Sequence, residues 1–387
     1  MVDIADETVT SILESALDSR ASDIHIEPES DHLNIRFRID GILHPFKRLD
    51  KYSKENTTTK IKVLSDMNIT EHRQPQDGHF EFLYKNVLYN FRVSSLPALF
   101  GENIVLRILN REDMLLKLKN TGLEEDQLSL IDKLILSPSG MILITGPTSS
   151  GKTNLLYSVI NSLNSPFRNI VTLEDPIEYR IEAIRQSQIN DSIGFTFAKA
   201  MRSVVRQDPD IIMLGEIRDA DTARMAIQAA LIGTLVLSTF HTFDVPALVT
   251  RLLEMGISQV VVAQTLKAVI ATRLVRKICS SCKSTYDLNR DEKKLVGENV
   301  TTLYRAKGCY LCKGTGYLGR TGIYEVACID DDIKTAIVEK HPVAYLHQLL
   351  KKKQTHSLKA SALDKVISGI TTIEEISRVL GTEVLNE

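Results

Sequence analysis

Residues 141–163 have the sequence MILITGPTSSGKTNLLYSVINSL, and this stretch decides the fold of the larger part of the chain. An apolar run at 141–144 leads into GPTSSGKT at 146–153, and apolar residues at helical spacing follow it. The octapeptide matches the G-x-x-x-x-G-K-[ST] pattern, in the strand–loop–helix context that a phosphate-binding loop requires. Backbone amides of such a loop surround phosphate oxygens at the positive end of the next helix. The stretch therefore predicts an α/β domain that binds a nucleotide.

The residues of this phosphate-binding loop have separate expected roles. We expect Lys152 to contact the β- and γ-phosphates of ATP, and Thr153 to place its hydroxyl on magnesium. The expected nucleotide-binding residues of the loop and the following turn are Gly146, Pro147, Thr148, Ser149, Ser150, Gly151, Lys152, Thr153 and Asn154.

Three further apolar runs, at 170–173, 211–214 and 235–237, alternate with helical patterns. They predict a parallel sheet that is covered by helices on both faces. Glu174, Glu216 and His241 come shortly after these runs, where strand ends line the ligand crevice of such a sheet. A carboxylate near the γ-phosphate can hold magnesium or polarise the attacking water. Each residue alone fits a cap, a turn or a structural role, but their shared placement favours function.

Outside this core the sequence changes character twice. Residues 1–110 combine a helical pattern with alternating strands and a Lys85-Asn86 turn, which predicts a small α+β domain. The polar stretch at 111–122 is the expected linker, and the ATPase core is expected at 123–275. The region 276–325 is basic and rich in Gly and Cys, and short helical patterns fill 326–387.

Four of the five cysteines form two C-x-x-C pairs, Cys279 with Cys282 and Cys309 with Cys312. Two such pairs supply four thiolates in the tetrahedral arrangement of a structural zinc site. Four reduced thiols are the alternative. We expect Cys328 to be a small core residue.

Composition excludes several classes of protein. Of the 387 residues, 43% are hydrophobic, so the chain has enough apolar residues for a sizeable core and is not disordered. No uncharged apolar run approaches the length of a membrane-spanning helix, and no export signal is recognisable at the N-terminus. The net charge of −2 requires neither a nucleic-acid partner nor an anionic membrane. We expect no direct contact with nucleic acid.

Several longer motifs resemble the type II secretion and type IV pilus assembly ATPases. The resemblance covers about residues 5–380. It rests on NIVTLEDPIEY at 169–179, RQDPDIIMLGEIRD at 206–219, LVLSTFHT at 235–242, RASDIHIE at 20–27, FRVSSLP at 91–97, GCYLC at 308–312 and GRTGIYE at 319–325. It implies a P-loop NTPase (RecA-like) core, a PAS-like N-terminal domain, a small zinc-binding module and a C-terminal helical segment.

The resemblance also implies roles for individual residues. Glu174 matches a catalytic carboxylate of the aspartate box, Glu216 the Walker B glutamate, and His241 the histidine-box residue. Members of the family form hexameric rings in which arginines of the N-terminal domain reach phosphate. Arg92 and Arg107 match these by position, and the core adds Arg202 and Arg206. Arginine at a γ-phosphate is sensible because charge develops there in the transition state.

The sequence departs from the family pattern in the phosphate-binding loop, at Thr234 and in where the chain begins. Ser149 stands where the loop usually has a second glycine, which is costly if its φ is positive, and Asn154-Leu155 replaces Thr-Thr. Thr234 stands where a further histidine is common. The chain resembles short forms of the family that lack the upstream adaptor-docking domain, although a truncated chain would look the same.

The expected function is that of a cytoplasmic hexameric ATPase, peripheral at the inner membrane, that assembles a type IV, competence or type II secretion pseudopilus. ATP, magnesium and zinc are the expected cofactors, and an inner-membrane platform protein is the expected partner. The alternatives are a pilus retraction motor, a nucleotide-binding scaffold with little turnover, and a nucleic-acid translocase. Retraction motors generally lack the two C-x-x-C pairs, and the translocase predicts a basic channel.

Overall fold

A computed structural model of the chain describes residues 7–109, 117–353, 357–382 and 384. The chain divides into two units, Met1–Asp113 and Met114–Glu387. Residues 111–116 of the predicted linker lie outside the described residues. Among the described residues, none of the helices has both the length and the apolar composition that are needed to span a bilayer.

The N-terminal unit is an antiparallel sheet with the strand order β3-β2-β1-β6-β5-β4. Its strands are β1 (Ala21–Pro28), β2 (His32–Ile39), β3 (Ile42–Asp50), β4 (Gln76–Tyr84), β5 (Val87–Ala98) and β6 (Gly101–Leu109), and its helices are α1 (Glu7–Asp18) and α2 (Lys51–Leu64). Lys85 and Asn86 have φ values of 48 and 64, which suit the two-residue hairpin turn that the sequence predicts. The PAS-like class of this unit stays a prediction.

Period-two alternation builds the core of this unit. Leu33, Ile35 and Phe37 are buried on one face of β2, together with apolar residues of both helices. Arg36 and Arg38 lie on the opposite face, as the alternation predicts.

The second unit contains a seven-stranded mixed sheet with the order β15-β12-β7-β11-β10-β8-β9. Its strands are β7 (Gly140–Thr145), β8 (Ile170–Glu174), β9 (Arg185–Gln188), β10 (Ile211–Leu214), β11 (Leu235–Phe240), β12 (Leu266–Ile278) and β15 (Tyr317–Cys328), and β13 (Lys283–Asp287) and β14 (Thr302–Ala306) form a separate ribbon. The four predicted strands are parallel neighbours in the order β7-β11-β10-β8. The predicted α/β class is therefore confirmed.

Helices cover both faces of this sheet. The helices of the unit are α3 (Glu125–Leu134), α4 (Lys152–Leu163), α5 (Phe197–Val204), α6 (Ala220–Leu231), α7 (Val245–Glu254), α8 (Gln259–Thr265), α9 (Arg290–Val296), α10 (Asp331–Val338), α11 (Val343–Lys353), α12 (Leu358–Ile367) and α13 (Ile373–Leu380). Ile142 and Ile144 of β7 pack with α4 in one cluster, and Leu143 packs with α6 and α7 in another. Every residue of β7 is buried because both of its faces are covered.

The cysteine-rich region is an insertion between two neighbouring strands of the core sheet. β12 pairs in parallel with β7, and β15 returns antiparallel beside β12. Both strands run across the predicted boundaries at 276 and 325. The antiparallel return makes the sheet mixed, where the sequence predicted a parallel one.

Candidate functional site

The phosphate-binding loop lies between the carboxyl end of β7 and the first turn of α4. A Cβ atom on Gly146 would lie 2.6 Å from the carbonyl oxygen of Thr272, so a larger residue would not fit there. Gly151 is the N-cap of α4 and has a φ of 91, a conformation that favours glycine. Ser149 has a φ of 61, so the cost expected for a residue with a Cβ applies at this position.

Lys152 is almost fully buried at the start of α4. Its ammonium donates hydrogen bonds to the carbonyl oxygens of Gly146 and Pro147, each 2.8 Å long. Burial lowers the pKa of Lys152 to about 8, while the charge of Glu216 acts to raise it and that of Arg273 to lower it. Moreover, the buried hydroxyl of Ser150 has no hydrogen-bond partner among the described residues. Both groups therefore suit an incoming phosphate.

Three of the predicted residues meet at the carboxyl edge of the sheet. Nε2 of His241 lies 3.0 Å from Oε2 of Glu216, and Nδ1 of the same ring lies 3.4 Å from the Lys152 ammonium. One tautomer satisfies both contacts, since a proton on Nε2 donates to Glu216 and leaves Nδ1 to accept from Lys152. The imidazole thus connects the loop lysine to the carboxylate.

Arg218 belongs to this cluster, although we did not single it out from the sequence. Its Nε donates to Glu216 at 2.7 Å, and its Nη1 donates to Asp175 at 3.1 Å. Burial acts to raise the pKa of Glu216, but the bonds and charges of Arg218 and His241 outweigh it and lower the pKa. Glu216 is therefore anionic at neutral pH. The sequence signal that could have indicated Arg218 is its position in GEIRD at 215–219, two residues after Glu216.

Glu174 lies at the end of β8 but is turned into the protein. Its carboxylate accepts hydrogen bonds from Thr172 at 2.6 Å, from Gln186 at 3.0 Å and from the hydroxyl of Tyr157 on α4. Burial, followed by the charge of Glu174, raises the pKa of Tyr157. Among the contacts of the described residues, none joins Glu174 to Lys152 or Glu216. The structure therefore does not place it in the cluster.

The remaining predicted nucleotide-binding residues lie in the loop and in the first turn of α4. Thr153 follows Lys152 directly and is exposed, whereas Asn154 is half-buried. A hydroxyl oxygen is a ligand that magnesium accepts, with water and phosphate oxygens supplying the others. Thr153 therefore fits the expected magnesium. Pro147 is half-buried, and Thr148 is exposed at the rim of the loop.

Arg202 and Arg206 are not part of the same cluster. Arg202 lies on α5, and Arg206 lies in the turn that leads to the amino end of β10. The phosphate-binding loop follows the carboxyl end of β7, which runs in the same direction as β10. The turn that contains Arg206 is therefore at the opposite edge of the sheet, and both side chains are exposed.

Arg92 and Arg107 lie in the N-terminal unit, directly opposite each other on β5 and β6. Nε of Arg107 donates to Asp23 of β1 at 2.9 Å, and the Arg107 side chain is 63% exposed. The two arginines therefore share one face of the sheet, where the ion pair with Asp23 holds Arg107 in place.

The four predicted zinc ligands converge on one point. The sulfur atoms of Cys279, Cys282, Cys309 and Cys312 all lie within 4.8 Å of one another. Three of the distances between them are 3.8, 3.8 and 3.7 Å. A tetrahedron with zinc–sulfur bonds of about 2.3 Å has edges of about 3.8 Å, so these residues fit zinc. Backbone amides of Cys309 and Gly316 also donate to the sulfur of Cys312.

Comparison with known proteins identifies the family of the chain. Residues 3–378 match the family described as type II/IV secretion system protein. Type II secretion system protein E of Dickeya dadantii is 43% identical over 376 residues, which are 97% of this chain and 75% of that protein. The type IV pilus assembly ATPase PilB of Myxococcus xanthus is 42% identical over 376 residues, 95% of this chain and 66% of that protein.

Two solved structures have a similar fold. The ATPase DotB of Legionella pneumophila superposes with a TM-score of 0.72 at 23% identity, covering 97% of both chains. The pilus retraction motor PilT with bound ADP superposes with a TM-score of 0.65 at 25% identity, covering 95% of both chains. The chain therefore belongs to the type II/IV secretion system protein family and is an ATP-hydrolysing enzyme.

Proposed function

We propose that this chain is a ring-forming motor that uses ATP hydrolysis to assemble a type IV pilus, a competence pilus or a type II secretion pseudopilus. The observation that carries the proposal is the connected series Lys152, His241, Glu216 and Arg218 beside the phosphate-binding loop. It joins a phosphate-binding cation to an ionised carboxylate through an imidazole. This is the arrangement that a site for phosphoryl transfer to water needs.

Three residues of the series have definable tasks. Lys152 exchanges its bonds to the loop carbonyls for bonds to phosphate oxygens, and the loop amides surround the phosphates. Glu216 orients the attacking water and accepts its proton. Nδ1 of His241 contacts Lys152, and Nε2 contacts Glu216. A movement of Lys152 towards phosphate would therefore reach Glu216 through the imidazole. Magnesium, held by Thr153, would neutralise charge on the β- and γ-phosphates.

The carboxylate at the end of β8 has a different part in this scheme. In the described conformation Glu174 ties β8 to α4 through Tyr157. A direct role of Glu174 in hydrolysis requires that it leave its bonds to Tyr157, Thr172 and Gln186. We propose that it does so only when the site closes around nucleotide.

The placement of the arginines supports a ring. Arg218 is engaged by Glu216 and Asp175, and Arg206 is at the opposite edge of the sheet. Arginines of a neighbouring subunit would add to the stabilisation of the charge that develops on the γ-phosphate. We propose that six copies form the ring, and that Arg92, Arg107, Arg202 and Arg206 serve phosphate there.

The names of the relatives support the process in which the chain acts. Type II secretion protein E and PilB are named for secretion and for pilus assembly. We propose that this chain likewise works at the cytoplasmic face of the inner membrane, against a platform protein. Zinc, held by the four cysteines, would fix the insertion between β12 and β15.

ATP turnover measured against protein concentration tests the proposal, with Glu216→Gln as the inactive variant. Specific activity should rise with concentration as rings form, and it should be lost in Glu216→Gln while nucleotide binding remains. Constant specific activity would contradict shared sites between subunits. Full activity in Glu216→Gln would contradict the assigned base.

Retraction is the second candidate, because PilT is among the similar structures. The two roles differ in the direction of their effect on filaments. A host strain that carries Glu216→Gln should lose surface filaments or secreted cargo if the motor extends them. Accumulation of filaments in that strain would establish retraction instead.

A further inference from the structure

β12 supports the phosphate-binding loop along its side. Ala271 pairs with Thr145, the last residue of β7, so the next residues of β12 run past the end of β7 and alongside the loop. The hydroxyl of Thr272 donates to the carbonyl oxygen of Ser150 at 3.1 Å. The side chain of Leu274 would lie 3.1 Å from a Cβ atom on Gly151. Arg273 is therefore held next to the loop by both of its neighbours.

The guanidinium of Arg273 bonds only to backbone in the described part of the chain. Its Nη1 donates to the carbonyl oxygen of Thr272 at 2.8 Å, and its Nη2 donates to that of Phe243 at 2.9 Å. Phe243 lies two residues after His241, so Arg273 connects β12 to the loop that carries the site histidine. Carbonyl oxygens do not neutralise a full charge. No ion pair among the described residues includes Arg273, although Asp244 and Glu325 attract it from a greater distance.

Lys152 and Arg273 bring two positive charges to the side of the loop. Lys152 and Arg273 repel each other, which contributes to the lowered pKa of Lys152 after burial has acted. The nearby carboxylate, Glu216, already shares its charge with Arg218 and His241. A buried ammonium and a half-buried guanidinium that repel each other suit a polyanionic ligand.

A guanidinium has five N–H donors, and the two backbone bonds occupy two of them. The remaining donors are enough for a forked contact to phosphate oxygens. We propose that Arg273 is a second cationic ligand of the nucleotide phosphates, acting in the same subunit as Lys152. This inference rests on the proposed nucleotide site and adds to it a residue that lies far from the loop in sequence.

Arg273→Gln tests the proposal because glutamine keeps a donor for one carbonyl but carries no charge. The full chain is titrated with MgATP, with adenosine and with magnesium tripolyphosphate. We expect affinity for MgATP and for tripolyphosphate to fall about 10- to 100-fold, the range for loss of a charge-assisted hydrogen bond. Affinity for adenosine should stay unchanged, because it has no phosphate. Arg224→Gln is the matched control, since Arg224 pairs with Asp221 on the surface of α6.

Three outcomes would overturn the inference. Unchanged MgATP affinity in Arg273→Gln would show that the guanidinium does not contact phosphate. An equal loss for adenosine and MgATP would show that Arg273 only braces the fold, and a loss of thermal stability would accompany it. Full MgATP affinity in Arg273→Met would also contradict an ionic contact between Arg273 and phosphate, because methionine is neutral. Intact MgATP binding in Lys152→Ala would instead overturn the nucleotide site itself.

Discussion

Replacing Ser149 by glycine should stabilise the protein, although it removes a side chain. Ser149 lies in the phosphate-binding loop with a φ of 61, in the left-handed region. A Cβ atom is crowded against the following carbonyl group in that conformation, and glycine has no Cβ. The Ser149 side chain is exposed, and none of the hydrogen bonds among the described residues involves its hydroxyl. The substitution therefore relieves backbone strain without breaking a contact.

Two opposing terms set the size of this effect. The left-handed conformation costs a residue with a Cβ about 1–2 kcal/mol. Glycine loses more backbone entropy on folding, which takes back about 0.5–1 kcal/mol. The net gain in the free energy of unfolding is therefore about 0.5–1 kcal/mol. In a unit of this size, that corresponds to a rise of about 1–4 °C in the melting temperature.

Differential scanning calorimetry of the full chain measures this shift, and Ser149→Ala separates its causes. Alanine keeps the Cβ and removes only the hydroxyl, so its melting temperature should stay at the wild-type value. The reasoning is refuted if Ser149→Gly melts at or below the temperature of Ser149→Ala. It is also refuted if alanine stabilises as much as glycine, because the hydroxyl would then be the cause.

Three further predictions concern other parts of the second unit. The pKa of Lys152 is lowered to about 8, and bound phosphate should raise it. MgATP affinity should therefore be constant below pH 7.5 and fall above pH 8, where the free ammonium loses its proton. Affinities measured at a series of pH values that stay the same up to pH 9.5 would contradict this. Glu375 is fully buried and accepts hydrogen bonds from Arg276 and Arg378. Glu375→Gln should therefore lower the free energy of unfolding by about 3–5 kcal/mol. Glu374 is exposed, so Glu374→Gln should leave that free energy unchanged. Atomic absorption should find one zinc per chain, and its removal should expose the region between β12 and β15 to proteolysis while the core sheet stays folded.

The core of the second unit could be predicted because its signals are local. The four apolar runs and the loop between the first of them and α4 each specify their own secondary structure. β12 and β15 were missed as members of the sheet for a physical reason. Arg273 and Arg276 interrupt the apolar pattern of β12, and its pairing with β15 spans the whole cysteine-rich insertion. Pairing across such a distance leaves no local pattern in the sequence.

The site was predictable as a set of positions but not as a set of contacts. Placement of Glu216 and His241 after parallel strands was enough to bring them to one edge of the sheet. The inward turn of Glu174 depends on Tyr157 and Gln186, which come from α4 and β9. Side-chain orientation of this kind follows from packing between elements, and the sequence pattern does not contain it.

One set of contacts links the start of the second unit to the phosphate-binding loop. Thr121 accepts a hydrogen bond from the Tyr324 hydroxyl at 3.0 Å, and Gln127 donates to the Tyr324 carbonyl oxygen at 2.8 Å. Tyr324 of β15 is the register partner of Thr272 of β12, which in turn bonds to Ser150 in the loop. A force on Thr121 or Gln127 would therefore be transmitted through these bonds to β15 and β12, which lie beside the nucleotide site. Such a route transmits work only if those strands have two arrangements that nucleotide distinguishes. The insertion between β12 and β15 should then move with those strands between nucleotide states, because both of its ends lie on them.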